Sequence, residues 1–130
     1  AEQDDVFVYH GYETDQAVDG NQGLAKALSG TFDLVLLGLG EDGHTASLFP
    51  GHDHPDGPTV LPVHHAPKPP PDRVSLSAAT LGNCRQLLFL VTGTGKQTAV
   101  HRWRQGEELP ASRILPAGRG EILIDRDALP

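Results

Sequence analysis

Two stretches of the chain are almost unbroken runs of apolar side chains that end in glycine: FDLVLLGLG over 32–40 and QLLFLVTG over 86–93. Runs of this length, closed by a turn-forming residue, predict strands buried on both faces. Shorter signals surround them. VFVY (6–9) predicts a strand, RVSLS (73–77) alternates polar and apolar positions as a half-buried strand does, and EILID (121–125) predicts a last strand. KQTAVHRWRQ (96–105) puts Ala99, Val100 and Trp103 on one helical face. A weaker helix spans roughly 16–29, where Gly20 and Gly23 each cost about 1 kcal/mol relative to alanine. TASLF (45–49) predicts a short helical turn stopped by Pro50 and Gly51, and the proline-rich 51–72 reads as loop, with only TVLPVHH suggesting extended backbone. Apolar strands alternating with helices predict an α/β fold with a parallel-dominated sheet. In such sheets ligands collect at the carboxyl ends of the strands, where both glycine turns fall.

Composition narrows the partners. The 130 residues are 38% hydrophobic and 21% charged, as in one ordinary globular domain, with no internal repeat and no apolar run long enough to span a bilayer. The net charge of −7 argues against nucleic-acid or anionic-membrane partners, because backbone recognition needs clustered lysine and arginine. An anionic ligand would need cations gathered locally against that global sign. Cys84 is the single cysteine, which excludes an internal disulfide or a cysteine-based zinc framework; flanked by Asn83 and Arg85, it reads as a packing residue. The acidic opening AEQDD has neither the basic start nor the apolar core of a secretion signal, so a cytoplasmic protein is expected. Methionine is absent, which implies a removed initiator or a piece of something longer.

GLGEDGHTASLFP (38–50) admits two readings. Gly38, Gly40 and Gly43 fit G-x-G-x-x-G, the turn that holds a dinucleotide pyrophosphate. Glu41 and Asp42 would repel such an anion, no full crossover helix follows before Pro50, and no strand-end acid lies about 20 residues on. Chemistry fits the loop better. Histidine titrates near neutrality, so His44 at a strand tip can exchange a proton at working pH, with Asp42 to orient it and backbone amides near Thr45 to hold a developing oxyanion. Spacing alone does not separate this from a solvated loop histidine.

FDLVLLGLGEDGHTASLFPG (32–51) resembles the signature of the 6-phosphogluconolactonase family, in a superfamily shared with glucosamine-6-phosphate deaminase. The likeness continues through PKPPPDRVSLSAATLGNCRQLLFLVTGTGKQTAV (67–100) and LPASRILPAGRGEILIDRDAL (109–129). It implies one Rossmann-like domain over 1–130, a carboxyl-terminal portion of a lactonase-like domain, with a sheet incomplete at its amino-terminal side. It also implies hydrolysis of 6-phospho-D-glucono-1,5-lactone without metal or organic cofactor, His44 acting as general base and Asp42 as its partner. The resemblance places Gly43 and Thr45 with the substrate-binding residues, Gly43 through a backbone conformation or a close substrate approach that a side chain would obstruct. It makes Lys96 the phosphate-contacting lysine and Arg73 a basic position of the same pocket.

Other features fit that picture or stand aside from it. TGTGKQT (92–98) lacks the first glycine and the hydroxyl residue of a nucleotide P-loop, since Leu90 and Gln97 stand there, yet a lysine opening a helix after a strand suits an anion. Deaminases of the superfamily follow D-G-H with a sequence of Phe-Asn-Glu-Pro type; Thr45 to Pro50 supply no such glutamate, so the lactonase is preferred. His52, Asp53, His54 and Asp56 fit no familiar zinc spacing, and no metal is expected. His64, His65 and His101 read as solvated or packed, and PKPPP as a stiffener of the loop before Arg73. Family members run longer at the amino terminus. Three expectations follow: the absent strands would leave an exposed sheet edge, the missing half or a second copy would serve as partner, and a non-catalytic sugar-phosphate binding module becomes the alternative function.

Overall fold

From residue 32 onward each predicted strand forms. The structure is a computed structural model that describes residues 22, 32–114 and 120–130. The strand expected at 6–9 and the helix expected at 16–29 lie outside the described residues, Gln22 apart. The strands are β1 (Phe32–Gly38), β2 (Val60–Val63), β3 (Arg73–Leu76), β4 (Cys84–Val91) and β5 (Gly120–Ile124). The helices are α1 (Ala78–Gly82), α2 (Gln97–Arg104) and α3 (Pro110–Ile114), with 3-10 turns at Thr94–Lys96 and Arg126–Ala128.

β1, β4 and β5 make a parallel sheet in the order β1-β4-β5, and β2 and β3 pair antiparallel beside it. This is the expected Rossmann-like arrangement of a parallel-dominated sheet flanked by helices. The register aligns Leu37 with Phe89 and Phe89 with Ile122. Alternation then gathers Val35, Leu37, Leu87, Phe89, Val91, Ile122 and Ile124 onto one core face, together with Ala99 and Val100 of α2. Trp103 closes this cluster, its ring meeting Phe89 edge-on at 5.2 Å between centroids.

Burial on both faces is not what the apolar runs achieve. Period-two alternation sends Leu34, Leu36, Leu88, Leu90 and Leu123 to the opposite face, where Leu36, Leu90 and Leu123 stay 39%, 45% and 52% exposed. Among the described residues no layer packs on that face, and β1 pairs with β4 alone. A run of leucines reports the burial a strand is suited to, and the neighbours decide how much it receives.

TASLF also differs from expectation. Thr45 and Leu48 form an isolated antiparallel bridge, Leu48 N–H donating to the Thr45 carbonyl at 2.9 Å, and Ala46 has φ 49°. That left-handed conformation is incompatible with a right-handed helical turn. The segment is a tight reversal. Conversely α1 and α3, of five residues each, left no periodic signal; α1 is fixed by its cap, the Ser77 hydroxyl accepting from Thr80 N–H.

Candidate active site

The parallel register sets Gly38 opposite Leu90 and Val91 opposite Ile124, so the three strands end along one edge. The loops that leave β1 and β4 therefore emerge side by side. Lys96 ties them: its Nζ donates to the Leu39 carbonyl at 2.6 Å, across 57 residues of chain. Gly93 N–H, at the turn after β4, donates to the Asp125 carboxylate at 3.1 Å, which joins the end of β5 to the same edge.

Within the first loop the backbone folds back on itself. Gly40 N–H donates to the His44 carbonyl at 2.7 Å, Gly43 N–H to the Gly40 carbonyl at 3.0 Å, and the buried Thr45 hydroxyl to the Gly38 carbonyl at 2.8 Å. This coil brings Asp42 under the imidazole. Asp42 Oδ1 accepts from His44 N–H at 3.0 Å and lies 2.6 Å from His44 Nδ1. An ionised carboxylate only accepts, so Nδ1 carries the proton and Nε2 is left as the basic nitrogen. Phe49 supports the ring from one side, tilted 38° at 4.7 Å.

Partial burial pushes the Asp42 carboxyl up. The hydrogen bonds from the His44 backbone and ring, with the attraction of the imidazole, outweigh it and hold the group below the ordinary carboxylate value. Arg102 adds a long contact from Nη1 to the Asp42 carbonyl at 3.4 Å while its fork grips Glu107.

Beside the strand ends lies an open cavity of about 270 Å³, walled by His44, Thr45, Ala46, Lys68 and Lys96 over the backbone of 38–40. Of the residues singled out in the sequence, His44, Thr45 and Lys96 line it. Asp42 stands behind His44. Gly43 is turned away: its φ is 91°, and a Cβ there would come within 3.0 Å of the Leu109 methyl groups. Arg73 is not part of the wall. Its guanidinium donates to the carbonyls of Lys68, Pro69 and Pro70 and lies 5.2 Å over the Phe49 ring.

Sequence reasoning did not single out Lys68, Ala46 or Phe49, and it saw Gly40 only as part of a glycine pattern. Lys68 sits in PKPPP, where the prolines drew the reading toward stiffness. Among the described residues no three His, Cys, Asp or Glu side chains group closely enough to hold a metal ion. His54 instead accepts from Phe49 N–H at 2.8 Å. Also among the described residues, no helix is long and apolar enough to cross a membrane.

Comparison with known proteins identifies the family and agrees with the fold. Residues 3–124 match the family described as glucosamine-6-phosphate isomerases/6-phosphogluconolactonase. The 6-phosphogluconolactonase of Rattus norvegicus is 40% identical over 110 residues, covering 78% of this chain and 43% of that protein. The Homo sapiens 6-phosphogluconolactonase is 44% identical over 92 residues, 65% of this chain and 35% of its own length. The solved 6-phosphogluconolactonase from Trypanosoma cruzi superposes with a TM-score of 0.64 at 33% identity, over 75% of this chain and 40% of the other. The chain thus spans about two fifths of the length of the relatives it matches. A parallel sheet whose carboxyl edge carries the D-G-H turn and an inward lysine, matched over nearly all of its residues, places this chain in the glucosamine-6-phosphate isomerase/6-phosphogluconolactonase family.

Proposed function

We propose that this site hydrolyses 6-phospho-D-glucono-1,5-lactone to 6-phospho-D-gluconate, the step its relatives' names describe, within the oxidative pentose phosphate pathway. The observation that carries the reading is the 2.6 Å contact between Asp42 and His44 Nδ1 at the wall of a cavity that also holds Lys96. With Nδ1–H bound to the carboxylate, Nε2 takes a proton from water, and the oxygen attacks the lactone carbonyl carbon. The tetrahedral oxyanion is within the province of backbone amides near Thr45. Collapse breaks the bond to the ring oxygen, which receives the proton back from Nε2; the new carboxylic acid loses its own proton to solvent. Lys96, already oriented by the Leu39 carbonyl, holds the phosphate. Gly43 contributes through the backbone conformation of the loop. No step in this scheme calls for a cofactor.

The test is lactone consumption by the purified chain, corrected for spontaneous hydrolysis. Protein-dependent turnover that falls about 10²- to 10⁴-fold in His44→Ala is expected, the usual contribution of one general base. Turnover unchanged by that substitution removes His44 from the mechanism. Calorimetric binding of 6-phosphogluconate without any turnover would favour a sugar-phosphate binding module instead.

A further inference from the structure

We propose that Lys68 is a second cation for the substrate's phosphate, and that Arg73 acts on it as a positioning residue; this rests on the lactonase reading above. Lys68 and Lys96 wall the same cavity although they stand 28 positions apart in the chain. In a chain of net charge −7, two ammonium groups facing one cavity make a local site for an anion. Among the described residues, neither lysine forms an ion pair with a carboxylate. Lys96 has one N–H on the Leu39 carbonyl and two left over, whereas the Lys68 ammonium has no protein acceptor among those residues. A phosphate dianion offers acceptors to both.

Arg73 explains why a lysine on an exposed, proline-rich loop stands at this place. Arg73 Nε donates to the Pro70 carbonyl at 2.9 Å, and Nη2 donates to the carbonyls of Lys68 at 2.7 Å and Pro69 at 3.1 Å. Prolines at 67, 69, 70 and 71 give up their own donors, so this segment relies on outside donors to fix its carbonyls. Ala66 N–H closes the loop's base onto the Pro71 carbonyl at 2.9 Å. The same guanidinium lies over Phe49, whose ring also packs against the His44 ring. One side chain therefore registers the Lys68 backbone against the support of the imidazole. A planar fork with several donors can do this; an ammonium cannot reach three carbonyls in the same geometry.

The experiment measures calorimetric affinity for 6-phosphogluconate and, in parallel, KM and kcat for the phosphorylated lactone and for unphosphorylated glucono-1,5-lactone. Lys68→Ala should weaken 6-phosphogluconate binding and raise KM for the phosphorylated lactone about 10- to 100-fold, as loss of a charge-assisted contact does. KM for the unphosphorylated lactone and kcat should stay put, and Lys68→Arg should recover most of the loss. Arg73→Lys should raise the same KM in the wild-type background yet add little in Lys68→Ala, since it acts through Lys68. Circular dichroism of each variant checks that the fold persists. Affinity and KM unaltered in a folded Lys68→Ala protein that still turns over lactone would overturn this inference and leave the lactonase reading intact. Additive losses in the double variant would reassign Arg73 to direct contact. Lysine-dependent binding without turnover would sink the lactonase reading while keeping the phosphate subsite, and absence of binding by the unsubstituted chain would overturn both.

Discussion

Gly40 lies flat beneath the ring of His44: a Cβ built on Gly40 would overlap the imidazole at Nδ1 and Cε1. The ring can dock against Asp42 only because no side chain projects from position 40. The glycine looks, in sequence, like a phosphate-loop residue, and in the structure it is the seat of the His44 imidazole.

Gly40→Ala is therefore expected to displace the imidazole from its carboxylate. Turnover should drop by at least about tenfold, approaching the His44→Ala level, because the base loses its orienting partner. Overpacking should also lower stability by about 1–3 kcal/mol. Lactonase kinetics beside urea unfolding check this; wild-type turnover in Gly40→Ala would show that the ring has another resting place.

Asp42 gives a pH signature. Its carboxyl sits below the ordinary value in the folded chain, so it adds stability above the unfolded-state value near 3.8, and that contribution disappears as pH falls through the depressed folded value. Asp42→Asn should accordingly be less stable than the native chain at pH 7, with the gap narrowing toward pH 3. Denaturant midpoints at the two pH values measure it. The side chain is 38% exposed, so solvent screening keeps the effect modest. The same substitution should depress turnover, because an amide can leave the imidazole in the wrong tautomer.

Gly43 is constrained twice, by a φ of 91° and by the Leu109 methyl groups 3.0 Å from where a Cβ would lie. The expected cost of Gly43→Ala is about 1–3 kcal/mol, part backbone strain and part crowding. Leu109→Ala in the same chain should relieve only the crowding, so a double-mutant cycle in urea separates the two. Full rescue would mean that the backbone conformation is unstrained for alanine.

Phe89 is fully buried on β4, the middle strand of the parallel sheet, with the Trp103 edge against its ring. Phe89→Ala should cost about 3–5 kcal/mol and unfold a marginal chain at moderate temperature, while Phe89→Leu should cost less. Thermal melts followed by Trp103 fluorescence report both. A small loss in the alanine variant would place the structural core elsewhere.

Much of the site was legible because it is local. Asp42 and His44 lie two residues apart in a loop that follows a strand, and the loop's own backbone hydrogen bonds bring them together. The resemblance pointed to Lys96, which lines the same cavity as His44. Arg73 and Lys68 were not legible in their division of labour. In both cases the type of charge is plain from the sequence, but only one long side chain faces the cavity, and the other turns to the carbonyls of the loop. Likewise TASLF has helix-compatible residues, and the bridge between Thr45 and Leu48 overrides that preference.

Among the described residues, the sequence by itself determined which segments become strands and, to within a few residues, where they stop, since alternation and glycine turns follow from the pleat and reach of the backbone. It also determined the pairing of acid and imidazole, for the same local reason. Only the tertiary structure decided that the loops after β1 and β4 share one edge, that Lys68 and Lys96 meet across a cavity, and that one sheet face stays uncovered by the described residues. Those outcomes depend on strand register and on packing between segments tens of residues apart, and no local periodicity encodes either one.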